Sequence, residues 1–236
     1  GAALYLATPV QEIRWQPGRA AVSTTTGATY HAQRVLCTVP LGVWQRPAGQ
    51  PGYLGLSPDL PAHRAAAAQL GFGDVIKFVL EFRTPFWQER LPELEFLLSD
   101  APVPTWWSQL PDPRPLLTGW VAGPAAQRLR IASASELLDL ALASLTQLLH
   151  VPLPELRAQL CASYVRNWGT EAHVYGAYSY PTVGSPAARA ALATPVANTL
   201  FWAGEALFEG PAGGTVEAAL ASGQLAAQAL LAAWPA

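Results

Sequence analysis

Two segments near the carboxyl terminus decide the fold: LFWAGE at residues 200–205 and GGTVEAA at residues 213–219. The first is a continuous apolar run that predicts a buried strand, and it ends in a glycine and a carboxylate, Gly204 and Glu205. The second predicts a helix entered through two glycines, which let a flat ligand approach the backbone because no Cβ lies in the way. The first amides of a helix lack partners within it, and its dipole favours negative charge. Together the two segments predict a site for a cofactor that gains negative charge when it is reduced.

The composition is that of a globular protein. Of the 236 residues, 51% are hydrophobic and 13% are charged, and the formal net charge is -2. A chain of this length can bury a substantial core. The absence of a Lys/Arg cluster argues against binding to nucleic acid or to an anionic membrane surface. The histidines are scattered singly, and Cys37 and Cys161 lack zinc-binding spacing, so we expect no metal site and two buried thiols.

Hydrophobic periodicity predicts an α/β layer at both chain ends and an α+β insert between them. Strands are predicted at residues 4–15 with an interruption at Pro9, and at residues 21–25, 28–31, 34–39, 73–82, 96–98, 105–107, 116–121 and 200–205. Helices are predicted at residues 61–70, 133–150 and 215–234, and the proline-rich stretch 47–61 is predicted to be a linker. The helix at 133–150 has the clearest signal, because Ser133 and Glu136 have capping-box spacing.

The beginning of the chain has neither a methionine nor the pattern of a signal peptide. We therefore expect these residues to be the later part of a longer, cytoplasmic protein. The helix predicted at 215–234 is nearly long enough to span a bilayer, but Glu217, Gln224 and Gln228 argue against a membrane anchor.

Five groups of segments now point to a known family. They are TPVQEI at 8–13, CTVPLGV at 37–43, GFGDVIK at 71–77 with PFW at 85–87, NW at 167–168 with GAYSY at 176–180, and WAGE at 202–205 with GTVE at 214–217. In this order they resemble the flavin-containing amine oxidases, which include monoamine oxidases, polyamine oxidases and the lysine-specific histone demethylases. The resemblance runs from about residue 4 to residue 231, and the family's amino-terminal GxGxxG unit is absent from the sequence. The chain therefore resembles only the carboxy-terminal half of such an enzyme.

The resemblance implies a partial, Rossmann-like α/β FAD-binding domain that is interrupted by an inserted substrate domain with an α+β antiparallel sheet. We expect the first part of the FAD-binding domain at residues 1–57 and its carboxy-terminal part at residues 171–236. The substrate-binding domain is expected at residues 58–170.

Lys77 matches the family lysine that holds a water next to flavin N5. From the strand alone, a solvated or snorkelling lysine would be the ordinary interpretation. The resemblance instead implies a catalytic role for Lys77.

Tyr178 matches one wall of an aromatic cage that guides the amine towards the flavin, although taken alone it would be interpreted as a core residue. The second wall is a tyrosine in monoamine oxidases, and Thr215 stands in its place. Polyamine oxidases and histone demethylases also have a threonine there, so Thr215 points to their branch.

The resemblance also implies a set of contacts to FAD. Val10 would contact adenine through its backbone, and Trp168 would pack beside the flavin. Glu205 would contact the ribityl or diphosphate part, and Gly204 would permit close approach. The helix start, formed by Gly214, Thr215 and Val216, would face the flavin ring. Ala177 replaces the cysteine that bonds to flavin in monoamine oxidases, so we expect non-covalent FAD.

The implied reaction is oxidation of an amine. Hydride leaves the carbon next to nitrogen for flavin N5, water hydrolyses the imine, and O2 reoxidises the flavin to give hydrogen peroxide. The expected partners are a small-molecule amine, O2 and the missing amino-terminal FAD-binding half.

Two alternatives remain open. The same scaffold serves L-amino-acid oxidases and FAD-dependent desaturases. An amino-acid substrate would need a basic residue for its carboxylate, and the candidates are Arg83, Arg114 and Arg166. The other alternative is that the chain is a truncated, non-catalytic fragment that cannot hold FAD alone.

Overall fold

The computed structural model describes residues 1–233, and the chain divides into two units. Unit 1 comprises Gly1–Phe72 and Ala172–Ala236, of which residues 234–236 lie outside the described part, and unit 2 comprises Gly73–Glu171. The first boundary therefore lies after residue 72, whereas the sequence placed it after residue 57. The reason is that the helix at residues 61–69 packs against a second helix of unit 1 at residues 185–193.

The secondary structure alternates short strands with helices along the chain. The strands are β1 (Val10–Gln16), β2 (Arg19–Thr24), β3 (Thr29–Ala32), β4 (Val35–Cys37), β5 (Gly55–Ser57), β6 (Gly71–Phe72), β7 (Val75–Phe82), β8 (Phe96–Leu98), β9 (Thr105–Trp107), β10 (Leu116–Ala122), β11 (Leu160–Asn167), β12 (Ser179–Tyr180) and β13 (Leu200–Trp202). The helices are α1 (Leu41–Trp44), α2 (Pro61–Gln69), α3 (Gly123–Arg128), α4 (Ala134–Leu149), α5 (Leu153–Gln159), α6 (Ser185–Ala193) and α7 (Val216–Ala232).

One sheet of unit 1 has the strand order β3-β2-β1-β5. The hairpin between β2 and β3 is confirmed, and its turn is made by Gly27 with φ +87°. Two predictions here are wrong. Residues 4–9 are not a strand, and β1 begins directly after Pro9. Proline has no backbone N–H to donate to a neighbouring strand. The predicted linker contains β5, which pairs in parallel with β1.

The second main sheet of unit 1 is the parallel pair β4 and β13, in which Val35 lies opposite Leu200 and Cys37 opposite Trp202. Every residue of β13 is buried, as expected for a strand covered on both faces. Within the described residues, neither strand pairs with any other strand, although Leu200 also forms an isolated antiparallel bridge with Val196. Helices α6 and α7 both pack against β13.

Unit 2 is built on one antiparallel sheet with the strand order β11-β7-β10-β9-β8. The alternation predicted for β7 is confirmed, because Ile76, Phe78, Leu80 and Phe82 are all buried in one core. Helix α4 contributes the leucines on the other side of this core. The strand β11 was not predicted, and its exposed Cys161 corrects the expectation of a buried thiol.

Helix boundaries follow their capping residues. Ser133 Oγ accepts the Glu136 N–H, and the Glu136 carboxylate accepts the Ser133 N–H at 2.8 Å, which confirms the predicted capping box. Helix α7 begins one residue after Thr215, which is its N-cap. The predicted end of this helix at Trp234 lies outside the described residues.

In the described part of the chain, no single helix has the length and apolar character needed to cross a membrane. Helices α4 and α5 meet the criterion only when they are taken together, across a bend of 113°.

Candidate functional site

A pocket of about 260 Å³ opens in unit 1 at the carboxyl ends of the parallel strands β4 and β13. We call it the strand-end pocket. It is bordered by residues 37–41 and 202–207, together with Trp44, Phe72, Val174, Ala177, Leu192 and Ala219. Ligands of α/β sheets bind outside the carboxyl ends of parallel strands. The LFWAGE segment therefore borders a pocket where such a fold places its ligands.

Glu205 borders this pocket and is held by a residue that the sequence reasoning missed. Its carboxylate accepts the Ser179 N–H at 2.9 Å and the Ser179 hydroxyl at 2.8 Å. The two hydrogen bonds from Ser179 therefore offset part of the free-energy cost of desolvating the Glu205 carboxylate, and any ligand that donates to this carboxylate would add to them. The sequence signal for Ser179 is the GAYSY segment at residues 176–180, in which the sequence analysis assigned a role to Tyr178 alone.

Gly204 presents bare backbone beside Glu205. Its φ is +150°, and a Cβ built on it would meet no atom within 4 Å. Its N–H donates to Ser222 Oγ of α7 at 3.1 Å, which fixes the peptide. The open space over Gly204 fits a ligand that approaches the main chain closely.

The start of α7 lies beside Tyr178. Thr215 Oγ1 accepts the Ala218 N–H at 3.2 Å and donates to the Ala212 carbonyl at 2.7 Å. Gly214 has φ +77°, and a Cβ there would lie 3.4 Å from the Tyr178 ring. The structure thus brings Tyr178, Gly214 and Thr215 together within unit 1, while Val216 is exposed.

A second pocket of about 730 Å³ adjoins the first, because Val39 borders both. We call it the adjoining pocket. Val10 is among its lining residues and is 42% exposed. His173, to which the sequence analysis gave no role, also lines it and has φ +66°. The two pockets together suit an extended ligand better than a compact one.

The chemistry of the strand-end pocket fits a flavin. Burial raises the pKa of the Cys37 thiol, with a smaller opposing effect from a backbone hydrogen bond of Val39, so this wall is neutral. Trp202 also borders the pocket, and its buried indole N–H has no hydrogen-bond partner within residues 1–233. A mostly apolar pocket with few polar groups is typical of cofactor sites.

Lys77 lies in unit 2, on the face of the sheet that points away from its core. It is half-buried, and it stands in register with Trp120 of β10 and Arg166 of β11. Its Nζ lies 5.8 Å from the centroid of the Trp107 ring, within the range of a cation–π interaction. We call this surface the lysine face; its residues are Val75, Lys77, Val79, Glu81, Phe96, Leu98, Thr105, Trp107, Leu116, Thr118, Trp120, Ala122, Ala162, Tyr164 and Arg166.

Trp168 also belongs to unit 2. It follows β11 directly, and its N–H donates to the Val75 carbonyl at 2.9 Å. The predicted site residues are therefore divided: Lys77 and Trp168 lie in unit 2, and Val10, Tyr178, Gly204, Glu205, Gly214, Thr215 and Val216 lie in unit 1.

The three arginines considered for a substrate carboxylate all have partners. Arg83 donates to the Ala158 carbonyl at 3.0 Å, and Arg114 pairs with Asp112 at 2.7 Å. Arg166 bonds Tyr164 Oη and the Glu171 carboxylate, and these contacts raise the pKa of its guanidinium.

Comparison with known proteins gives a consistent family. The sequence model of the family described as "Flavin containing amine oxidoreductase" matches residues 1–231. Lysine-specific histone demethylase 1 homolog 3 of Arabidopsis thaliana is 35% identical over 78% of this chain and 11% of its own length. Polyamine oxidase 4 of Oryza sativa subsp. japonica is 32% identical over 92% of this chain and 43% of its own length.

Among solved structures, wild-type putrescine oxidase bound to putrescine superposes with a TM-score of 0.77 at 24% identity. The match covers 97% of this chain and 49% of that one, and at this identity it shows the fold alone. This chain therefore spans less than half the length of these relatives.

Proposed function

This chain belongs to the family of flavin-containing amine oxidoreductases, and from that premise we propose that it forms part of an FAD-dependent enzyme that oxidises amines. The observation that carries the proposal is the strand-end pocket, which has a neutral apolar wall, the bare backbone of Gly204 and the carboxylate of Glu205. The adjoining pocket supports a dinucleotide, because it extends the available space past Val39 to Val10.

Unit 1 would hold the cofactor without a covalent bond. Glu205, oriented by Ser179, would accept hydrogen bonds from ribityl hydroxyls, and Val10 would contact adenine through its backbone. The dipole at the start of α7 favours negative charge in front of Gly214, Thr215 and Val216. Ala177 borders the pocket and offers no nucleophile for a bond to the flavin.

The cofactor, when bound, would supply a ring that accepts hydride from the carbon next to the amine nitrogen. The protein's part is to position the amine and to control water. Tyr178 and Thr215 would guide the nitrogen, Trp168 would pack beside the ring, and the ammonium of Lys77 would orient a water molecule. We propose O2 as the second substrate and hydrogen peroxide as a product.

We also propose that unit 1 is the partial, Rossmann-like FAD-binding domain and that unit 2 is the substrate domain. Buried parallel sheets are normally wider than two strands and are covered on both faces. The pairing of β4 and β13 only with each other in the described residues supports completion by the amino-terminal FAD-binding unit that the family resemblance implies.

An amino-acid substrate is favoured less than an amine. A substrate carboxylate needs a basic group that is not already engaged. Arg166, which lies on the lysine face beside Lys77, is paired with Glu171, and under this proposal the ammonium of Lys77 orients a water molecule.

The test is a titration of the purified 236-residue chain with FAD, followed by anaerobic mixing with primary amines, polyamines and L-amino acids. We expect quenching of flavin fluorescence on binding, bleaching of the flavin absorbance by amines, and peroxide release in air. Binding without bleaching by any amine would contradict the oxidase proposal. Absence of binding would favour the non-catalytic fragment, and adding a polypeptide that carries a GxGxxG unit would then test completion of the site.

A further inference from the structure

Resting on the proposed function, we infer that Arg130 is a positioning residue for Trp168, the residue proposed to pack beside the flavin. Arg130 acts through two contacts, one to the Asp74 carboxylate and one to the Gly169 carbonyl. All four residues belong to unit 2. This role deepens the proposed function, because it accounts for what holds Trp168 in place.

Trp168 begins a turn that the sheet holds on one side. Its N–H donates to the Val75 carbonyl at 2.9 Å, which extends the pairing of β11 with β7 by one residue. The chain then leaves the sheet, and the Thr170 N–H donates back to the Asn167 carbonyl at 3.2 Å. Since β11 ends at Asn167, strand pairing does not hold the residues that follow Trp168.

Arg130 holds the other side of this turn. Its Nε and Nη2 donate to the Gly169 carbonyl at 3.2 and 2.9 Å. The same Nη2 lies 3.3 Å from Asp74 Oδ1, so one guanidinium joins the turn to the residue that precedes β7. The donors of a guanidinium form a rigid planar fork, which the single ammonium of a lysine does not reproduce.

The Asp74 carboxylate keeps the guanidinium at this place. Its side chain is 9% exposed, and a buried carboxylate is costly unless it is paired. The main chain of Asp74 is fixed as well, because its carbonyl accepts the Gly123 N–H at 2.9 Å, just beyond the end of β10. Movement of Arg130 away from the turn would leave this carboxylate without its cation.

Both neighbours of Trp168 in the sequence contact Arg130. Asn167 Nδ2 donates to the Arg130 carbonyl at 3.1 Å, and Gly169 accepts from the guanidinium. The approach at Gly169 is close, because a Cβ built there would lie 2.7 Å from Asp74 Oδ1 and 3.1 Å from Arg130 Nε. Trp168 is therefore held between two residues that are bonded to the same arginine.

The first experiment follows the indole N–H of Trp168 by NMR and does not require FAD. The chain has nine tryptophans, and the Trp168 signal is the one that Trp168→Phe removes. We expect Arg130→Gln and Arg130→Lys both to shift or broaden this signal. The reason is that neither side chain can hold the Asp74 carboxylate and the Gly169 carbonyl through one fork.

Two controls separate this effect from a loss of fold. The indole N–H of Trp106 donates to the Val103 carbonyl at 3.1 Å inside the core of unit 2, so its signal should stay in place in every variant. Arg157 pairs with Asp139 at 2.6 Å on the surface of unit 2. Arg157→Gln is the matched substitution, and it should leave the Trp168 signal unchanged.

The second experiment tests the link to the cofactor with a double-mutant cycle. We expect Arg130→Gln to weaken FAD binding about threefold, measured by titration of flavin fluorescence. In a Trp168→Ala chain the same substitution should have no further effect, because the ring through which Arg130 acts is gone. A general structural role would give the same loss of affinity in both chains.

An unchanged Trp168 signal in a folded Arg130→Gln chain would overturn the inference. An equal loss of FAD affinity with and without the Trp168 ring would also overturn it. In both cases the proposed function survives if the wild type binds FAD and amines bleach it. If the wild type binds no FAD, the proposed function fails, and the Trp168 signal alone decides whether Arg130 positions this residue.

Discussion

The role proposed for Glu205 depends on one neighbour. A carboxylate at a largely apolar pocket needs hydrogen-bond donors, and Ser179 supplies two at 2.9 and 2.8 Å. Both donors belong to Ser179, the residue after Tyr178. Tyr178, the proposed cage wall, is therefore adjacent in sequence to the residue that orients Glu205, the proposed ribityl contact. A change at Ser179 should therefore reach the cofactor through Glu205.

We predict that Ser179→Ala weakens FAD binding about tenfold or more, because a hydrogen bond to a charged group contributes about 1.5–3 kcal/mol. The backbone donor remains, so the chain should still fold. Flavin fluorescence titration measures the change. Ser133→Ala, which removes a helix cap in unit 2, is the control and should leave FAD affinity as it is in the wild type.

The role proposed for Lys77 should affect the rate of flavin reduction, whereas the role proposed for Glu205 should affect the affinity for FAD. Replacing Lys77 with Met removes the ammonium that would orient water, and we predict that flavin reduction by amine slows about 100-fold, a loss typical of removing one positioned polar group beside a reacting centre. FAD affinity should not change. Stopped-flow absorbance at saturating amine measures the rate, and Glu81→Gln on the same face of β7 is the control. An unchanged reduction rate in Lys77→Met would remove Lys77 from the catalytic assignment.

Among the elements, α4 has the most complete local signal, and its cap makes a prediction about pH. Hydrogen bonds from the backbone and hydroxyl of Ser133 hold the pKa of Glu136 below its usual 4.5. A lowered folded-state pKa stabilises the fold above the unfolded pKa, and that contribution is lost as pH falls through the folded value. We predict that the Tm difference between the wild type and Glu136→Gln, measured by circular dichroism, is largest at neutral pH. It should shrink steadily below pH 4.5.

The elements predicted from the sequence are those whose own residues carry a recognisable pattern. The strand β7 alternates strictly, α4 carries its own cap, and β13 is uniformly apolar. By contrast, β5 lies in a stretch rich in proline and glycine, and β11 lies at the edge of its sheet with four consecutive exposed residues, so neither shows a usable apolar period. Tertiary pairing decides such strands.

The same distinction applies to the site. The sequence singles out Gly204 and Glu205 as candidate cofactor contacts, because the close approach of a ligand and the need for a carboxylate partner are properties of single positions. It did not locate Ser179 as the partner of Glu205, or Trp107 beside Lys77, because each pair is joined by folding across 26 or more residues. Hydrophobic patterning indicates on which face of a strand a side chain lies. The order and register of the strands determine which other side chains lie beside it on that face.

At the scale of the whole chain, each unit has a hydrophobic core of its own. Leu142 of α4 is fully buried in the core of unit 2, and Leu192 of α6 is 1% exposed in the core of unit 1. Regions with separate cores open as separate cooperative units. A cavity made in one core should therefore lower the free energy of opening of that unit and leave the other unit unchanged.

We predict that Leu142→Ala lowers the free energy of opening of unit 2 by about 2–5 kcal/mol, the cost of removing a buried leucine side chain. Native-state hydrogen exchange of the amides in β7 and β10 should accelerate accordingly, while the amides of β4 and β13 keep their wild-type rates. Leu192→Ala is the matched variant and should give the reciprocal pattern. If both variants accelerated exchange equally in all four strands, the two cores would open as one unit. Under the proposed function, a local pattern would also mean that the lysine face and the strand-end pocket can be destabilised one at a time, so that loss of flavin reduction can be separated from loss of FAD binding.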